Sequence, residues 1–368
     1  MVVLRRGAES RAAPDAGAAA ARPDARRPAC GLRRARRPVR ALVAALLLAV
    51  PLAACAAAPA RAPRPPDRAM LTRPAEPYTP RALSAQAAPF DGAMVADGTA
   101  TVLSVIAVRA NHPLWGGLSG LSLDPDGERF VTASDRGALF EGRLVRRDGA
   151  LAEVADLRTA PFPGPDGAQR PPGVDDVEAL TRTPDGALLA AFEQHHRVWR
   201  WAEPGAPAEI LPRHPAWDAL PQNTGLEALA SDVAGTLVAI AEHPGAPGGF
   251  PLFRLDPGED QWRQGVWPGD GVFRPTGASF GPDGRLYVLE RAFSFLAGFR
   301  MRLRRASLDG VVVRDVETLI TLRGAGVDNF EGVGVWGDAA GALRAVVVSD
   351  DNFFPLQRTL FMEIALPP

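Results

Sequence analysis

Acidic side chains recur at two positions of a repeated pattern, and they are the residues best suited to chemistry in this sequence. The first position holds a glutamate in three of the repeats: Glu178, Glu227 and Glu331. Crowded glutamates repel one another unless cations, arginines or a substrate neutralise them. Carboxylate oxygens are also the ligands that Ca²⁺ and Mg²⁺ prefer. We therefore predict that these three residues, together with Asp350, bind a divalent cation, with Ca²⁺ preferred to Mg²⁺.

The second position closes the strand that follows, and it is acidic in all five repeats: Asp135, Glu193, Glu242, Glu290 and Asp350. Carboxyl and imidazole groups can move protons in hydrolysis, so the candidate catalytic residues are Glu193, Asp135 and His195. The candidates for binding an anionic substrate directly follow second-position acids: Arg136, Arg291 and His243. The alternative is structural, since a repeat can use the same polar residues for hydrogen bonds between its units, and the arginines can simply pair with those acids.

Composition excludes several chemistries. The chain contains no lysine, because all 41 basic residues are arginine. A P-loop lysine, a Schiff-base lysine and a Ser–Lys dyad are therefore excluded. The part after Cys55 carries a net charge of about −9, which disfavours nucleic acid as a partner and suits cations. The histidines and the two cysteines show no zinc-binding spacing.

The elements that carry these acids are predicted from the five repeats. Each repeat has a short apolar strand, a turn with glycine (Pro-Asp-Gly in three of the five) and a second apolar strand. The turn glycines are 59, 49, 49 and 57 residues apart: Gly127, Gly186, Gly235, Gly284 and Gly341. Four strands in about 50 residues is the period of a β-propeller blade. We predict an all-β propeller of five four-stranded blades, in which residues 99–108 complete the last blade. Six blades is the alternative, with a degenerate blade in one of the longer intervals.

The N-terminal residues are predicted to direct export. Residues 1–55 combine an arginine-rich start with a short apolar run, residues 41–52, and end in Leu-Ala-Ala-Cys55. This ending resembles a lipobox and predicts lipidation of Cys55; the alternative is an ordinary signal peptide. Residues 56–95 are predicted to be a Pro- and Ala-rich tether, and residues 96–368 the propeller domain. We expect a monomer in the cell envelope, at the periplasmic face or the outer membrane, that meets the membrane only through its lipid anchor.

Short motifs in the repeats resemble those of the bacterial phytase-like propeller family, whose domain is described as having esterase-like activity of phytase. They include Asp176-Val-Glu-Ala-Leu, Asn223-Thr-Gly-Leu-Glu-Ala-Leu, Asn329-Phe-Glu-Gly-Val and Ser349-Asp-Asp-Asn-Phe. The resemblance covers nearly all of residues 100–365 and implies a hydrolase of phosphate or carboxylic esters, related to calcium-dependent propeller phytases. The expected function is metal-assisted hydrolysis of a small anionic ester at the central channel mouth. The alternative is a non-catalytic envelope lipoprotein that binds a ligand or partner there.

Overall fold

Five antiparallel sheets follow one another along the chain and form a ring. The computed structural model describes residues 3–4, 81–161, 163–168, 170, 175–245 and 248–368. The predicted lipidation site, Cys55, and residues 56–80 of the predicted tether lie outside the described residues. Numbered in chain order, the N-terminal strands are β1 (Val3–Leu4), β2 (Arg81–Ala82), β3 (Ala85–Pro89), β4 (Val95–Gly98) and β5 (Thr101–Ala110).

The first three blades run from the inner strand to the outer strand in chain order. Blade 1 contains β6 (Leu118–Leu123), β7 (Arg129–Ser134), β8 (Ala138–Arg147) and β9 (Ala150–Pro161). Blade 2 contains β10 (Val177–Arg182), β11 (Leu188–Phe192), β12 (Arg197–Trp201) and β13 (Glu209–Ile210). Blade 3 contains β14 (Leu226–Ser231), β15 (Leu237–Ala241), β16 (Gly249–Leu255) and β17 (Arg263–Pro268). A short 3-10 helix, Pro215–Ala219, connects blade 2 to blade 3.

The last two blades recruit N-terminal strands. Blade 4 contains β18 (Arg274–Phe280), β19 (Leu286–Ser294), β20 (Gly298–Asp309) and β21 (Val312–Arg323), followed by β4 and β1. Blade 5 contains β22 (Asn329–Gly337), β23 (Leu343–Asp350) and β24 (Leu360–Ala365), followed by β5 and β3. The inner strands β6, β10, β14, β18 and β22 contact their neighbours in turn, and β22 contacts β6. The five-bladed propeller predicted from the sequence is confirmed.

Ring closure joins the two ends of the domain. Strand β5 pairs antiparallel with β24, so that Ala107 lies opposite Leu360 and Thr101 lies opposite Ala365. A strand from the N-terminal side thus becomes the fourth strand of a blade whose first three strands come from the C-terminus. This confirms the predicted closure, which protects what would otherwise be an open sheet edge.

The N-terminal strands extend further than the sequence predicts. Strand β2 pairs with β9, β3 with β5 and β4 with β21. Residues 81–95, assigned from the sequence to the tether, therefore belong to the propeller and add outer strands to blades 1, 5 and 4. The assignment was wrong because an Ala- and Pro-rich segment lacks apolar alternation. Such a segment can still form a strand when it hydrogen-bonds to an existing edge.

Local chemistry explains the inner hairpins and the core. The five predicted turn glycines all have positive φ, from 68° at Gly127 to 86° at Gly186, a conformation that glycine adopts without strain. Five buried apolar clusters lie between adjacent blades; Ile240 and Trp267 of blade 3, for example, pack with Val288 of blade 4. Each blade therefore gains stability from both neighbours, and the ring has no exposed core face. Among the described residues, no helix is long and apolar enough to cross a bilayer.

Candidate functional site

A β-bulge in every inner strand positions the first set of side chains. The pairing of the inner strand with its neighbour skips one residue in each blade, and the skipped residues are Gly120, Glu178, Glu227, Thr276 and Glu331. A bulge adds twist and can redirect a side chain next to a site. The three glutamates therefore occupy equivalent positions in blades 2, 3 and 5, as the repeat predicts.

Blades 1 and 4 lack a carboxylate at the bulge for visible reasons. Gly120 has φ of +72°, and a β-carbon there would lie 2.5 Å from the backbone nitrogen of Leu180. The neighbouring Ser119 donates a hydrogen bond to Glu331 Oε2 at 3.1 Å. In blade 4, the Thr276 hydroxyl donates to the carbonyl of Phe330 at 3.0 Å. Both blades therefore contribute a hydroxyl donor near blade 5 where the others contribute a carboxylate.

The second set of acids joins the first, with one exception. Four of its members lie at the mouth end of the second strands, among the bulge glutamates: Asp135, Glu193, Glu242 and Asp350. Glu290 is fully buried apart from them. Its carboxylate accepts hydrogen bonds from Trp267 Nε1 at 2.8 Å, Arg302 Nε at 2.6 Å and Arg304 Nη2 at 2.6 Å. Glu290 is therefore a structural residue that ties blade 3 to blade 4.

The resulting mouth cluster contains eight carboxylates: Asp135, Asp176, Glu178, Glu193, Glu227, Glu242, Glu331 and Asp350. Among the described residues, Arg291 is the one arginine that hydrogen-bonds to members of this cluster. Its guanidinium contacts Glu331 Oε1 at 2.5 Å and Glu242 Oε1 at 3.1 Å. It also donates to Asn329 Oδ1 at 2.5 Å, and the Asn329 amide in turn donates to Glu331 at 2.9 Å and Asp350 at 3.0 Å. Arg291 thus offsets part of the negative charge in one half of the mouth.

In the other half, no described arginine hydrogen-bonds to a carboxylate. Carboxylate oxygens of Asp176, Glu178 and Glu193 lie within 4.8 Å of one another. The backbone N–H of Gly225 donates to Glu193 Oε1 at 3.3 Å and to Glu227 Oε1 at 3.2 Å. Two full charges at such a distance repel by about 3 kcal/mol at an effective dielectric constant of about 20. This half of the mouth therefore favours protons or a cation.

Burial and this repulsion raise pKa values in the cluster. Burial and the charges of Glu227 and Glu193 hold the pKa of Glu178 well above its ordinary value. Burial raises the pKa of Glu193 to about 7 and, with the charge of Asp176, that of Asp135 to about 6. Burial, with the charge of Glu331, raises the pKa of Asp350 to about 8. Buried like charges at a cleft are a common signature of functional sites.

The oxygens of Asp176, Glu178 and Glu193 fit a calcium ion, and we call this part of the mouth the uncompensated half. Ca²⁺ binds oxygen ligands at about 2.3–2.6 Å, so two oxygens on opposite sides of one ion are about 5 Å apart. The oxygens of Asp176, Glu178 and Glu193 all lie within 4.8 Å of one another and so fit within this span. Glu178 was predicted as a metal ligand and Glu193 as a catalytic residue, whereas Asp176 was missed. Its signal was an acidic side chain two residues before Glu178.

The other predicted site residues lie around this cluster. The structure brings Glu227, Glu331 and Asp350 into the mouth, with Glu331 held by Arg291. His195 is exposed on the turn after β11, and His243 is half-buried on the turn after β15. Arg136 is exposed, and its guanidinium carbon lies 3.3 Å above the centre of the Phe353 ring. The sequence also missed Asn329, which bridges two acids and Arg291.

The fold and the mouth define the class: a five-bladed β-propeller with a carboxylate-lined central opening. The chain belongs to the phytase-like family, described as "esterase-like activity of phytase", whose family model matches residues 113–353. The family resemblance in the sequence motifs is thereby confirmed. No curated protein sequence matches the chain.

Two solved structures illustrate the range of similar folds. A gluconolactonase from Xanthomonas campestris has 15% identity and a TM-score of 0.40, with 80% of this chain and 99% of that chain covered. The PQQ-bound aldose sugar dehydrogenase from Streptomyces coelicolor has 14% identity and a TM-score of 0.38, with 78% and 100% covered. Similarity at this level carries no argument about the activity of this chain.

Proposed function

We propose that this protein is a metal-assisted hydrolase of small anionic esters, phosphate or carboxylic, acting at the mouth of the propeller. The observation that carries the proposal is the uncompensated half of the mouth, where three carboxylates from blade 2 lie within 4.8 Å. Asp176, Glu178 and Glu193 would hold Ca²⁺, with Glu227 beside them. When bound there, the cation would polarise the ester and lower the pKa of a water molecule.

Arg291 keeps the two halves of the mouth different. Because it pairs with Glu242 and Glu331, these two carboxylates compete less for the cation. The sequence made it a candidate for binding substrate, with pairing to the acids as the alternative; its hydrogen bonds are to protein groups, so we assign it a positioning role.

Asp135 is the best-placed general base. Its pKa of about 6 leaves it ionised at neutral pH while keeping it basic enough to accept a proton, the balance that general-base catalysis requires. It lies near Asp176 and Glu331, and Ser134 Oγ donates to its Oδ1 at 3.4 Å. A carboxylate oxygen of Asp135 would accept the proton of the attacking water.

Arg136 is the proposed contact for the anionic group of the substrate. It follows Asp135 directly, is exposed to solvent and has its guanidinium fixed against the Phe353 ring. A guanidinium held in one place offers two parallel donors to a phosphate or carboxylate. His195 and His243, on neighbouring turns of the same end, are further candidates for contacting the substrate.

The test is a titration of the purified protein with Ca²⁺, Mg²⁺ and EDTA, followed by hydrolysis of 4-nitrophenyl phosphate and 4-nitrophenyl acetate. We expect Ca²⁺ to raise the melting temperature and to be required for release of 4-nitrophenol. Arg136→Gln should raise KM for the phosphate ester more than for the acetate.

Two results would overturn parts of the proposal. A melting temperature that ignores both cations and EDTA contradicts the metal site. Stabilisation by Ca²⁺ without turnover of either ester contradicts the hydrolase and supports the binding lipoprotein instead.

A further inference from the structure

The β19–β20 hairpin of blade 4 projects beyond the mouth. In blades 1, 2, 3 and 5 the second strand ends within one residue of its mouth-end acid, but β19 continues four residues past Glu290, to Ser294. At about 3.3 Å per residue, the extension is about 13 Å long. The extra residues belong to the second and third strands of the blade, so the hairpin stands away from the central axis.

The tip of this hairpin is apolar and ordered. Phe295 and Leu296 are 96% and 99% exposed. The rings of Phe293 and Phe299 contact each other across the hairpin, with centres 4.8 Å apart, and the Ala297 N–H donates to Ser294 Oγ at 3.2 Å. The hairpin thus presents two adjacent apolar side chains to solvent on a fixed support.

Two arginines that pair with none of the described acids lie below the tip. Arg300 and Arg323 face each other directly across β20 and β21. Like charges in this position destabilise a sheet unless an anion lies between them. The acids on the same side are already used, because Arg302 pairs with Asp270 and Glu290. Arg300 Nε is also buried without a hydrogen-bond partner in the structure.

We propose that this hairpin docks the propeller on an anionic phospholipid surface. Phe295 and Leu296 enter the boundary between headgroups and acyl chains, and Arg300 and Arg323 bind lipid phosphates. Apolar residues above a cationic base are the combination that binds a charged membrane interface. This contact is separate from the predicted lipid anchor and does not depend on the proposed catalytic function.

A second apolar loop supports the same orientation. Phe354 and Leu356, 54% and 75% exposed, lie between β23 and β24 in blade 5, next to blade 4 and at the mouth end. Docking through both loops turns the mouth towards the lipid. The mouth carboxylates surround the axis, whereas Arg300 and Arg323 lie on the third and fourth strands of their blade, farther from the axis.

The test uses site-specific labelling of the full chain. Cys30 and Cys55 are its only cysteines, so a chain with Cys30→Ser and Cys55→Ser accepts one new label. Ala297→Cys places an environment-sensitive fluorophore beside the tip. Ala234→Cys, next to the 86% exposed Val233 in a turn at the opposite end, is the matched control. The vesicles contain equal parts of phosphatidylglycerol and phosphatidylethanolamine, or phosphatidylcholine alone.

We expect the label at 297, but not at 234, to shift its emission to the blue with the anionic vesicles only. Arg300→Gln with Arg323→Gln should weaken that response by about thirtyfold, a factor of about five for each arginine. Arg129→Gln with Arg285→Gln, at the opposite end, should leave it unchanged.

Four results would overturn the proposal. Three concern the emission of the label: no blue shift at position 297, equal shifts at positions 297 and 234, or equal shifts with both kinds of vesicle. The fourth is a dimer that forms without lipid and that dissociates when Phe295→Ser and Leu296→Ser are combined. The last result would assign the tip to a second copy of the chain.

Discussion

At the scale of single residues, the bulge in each inner strand decides which side chain reaches the axis. Glu178 and Glu331 occupy the same repeat position, yet Arg291 neutralises only Glu331. Equivalent residues of a repeat can therefore differ in electrostatic role because a single side chain from another blade breaks the symmetry.

Glu178→Gln should abolish the response of the protein to Ca²⁺ and raise the melting temperature in EDTA. The substitution removes one charge from a repelling group while keeping the side-chain shape. In the unmodified protein, a hundredfold excess of cation over Kd contributes about 2.7 kcal/mol, or about 4–5 °C for a domain of this size. Differential scanning fluorimetry with and without Ca²⁺ measures both effects.

Glu331→Gln is the matched control for that experiment. It changes the same repeat position in the half of the mouth that Arg291 already neutralises, so most of the Ca²⁺ response should remain. Equal loss in both variants would contradict the division of the mouth into two halves.

The mouth should also make stability depend on pH. The pKa of Glu193 rises from 4.5 to about 7 on folding and that of Asp350 from 3.8 to about 8. Between those values the folded state binds more protons than the unfolded state, so the free energy of unfolding falls as pH rises. We expect the melting temperature in EDTA to decrease from about pH 5 to about pH 8, and Ca²⁺ to restore it most at the upper end. A melting temperature that increases across this range would show that the acids are not crowded.

At the scale of strands, a truncation tests whether β5 and the outer strands are needed to close the ring. Deleting residues through Val108 removes β1 to β4 and most of β5, including the buried side chains of Ile106 and Val108, and exposes the edge of β24. The truncated protein should aggregate or unfold without cooperativity. Deleting residues 56–80 should leave the melting temperature nearly unchanged. Light scattering and thermal denaturation distinguish the two truncated proteins, and a monomeric, cooperatively folding Val108 truncation would contradict this role of β5.

The sequence predicted the strands and turns that local chemistry determines. The turn glycines, the apolar pairs of strands and the closing strand all follow from short stretches of chain. The pairing of Arg291 with Glu242 and Glu331 could not be predicted, because it joins three blades and depends on how far the inner strands lie from the axis. Strand β3 was missed for a related reason: its pairing with β5 depends on an edge that exists only in the folded ring.

At the scale of the whole molecule, a substitution of Cys55 tests the predicted lipid anchor. The Cys55→Ser protein should still be exported, but it should lose its acyl chains. It should then move from the membrane fraction to the soluble fraction, except for the part that the β19–β20 hairpin retains on the membrane. A single acyl chain gives only marginal membrane binding, so the anchor requires its full lipidation or a second contact. Mass spectrometry of the mature N-terminus and membrane fractionation measure the outcome; an unacylated natural protein would contradict the prediction.

The pairing of Thr101 with Ala365 also sets the order in which the protein can mature. Strand β24, the partner of β5, is synthesised after all the strands of blades 1 to 4, so the ring stays open until residues 360–365 have been made. Joining such distant segments is also slow, because the entropy of a long loop is lost before the contact is gained. We therefore expect the nascent chain to stay sensitive to proteases until residues 360–365 have left the ribosome and paired with β5.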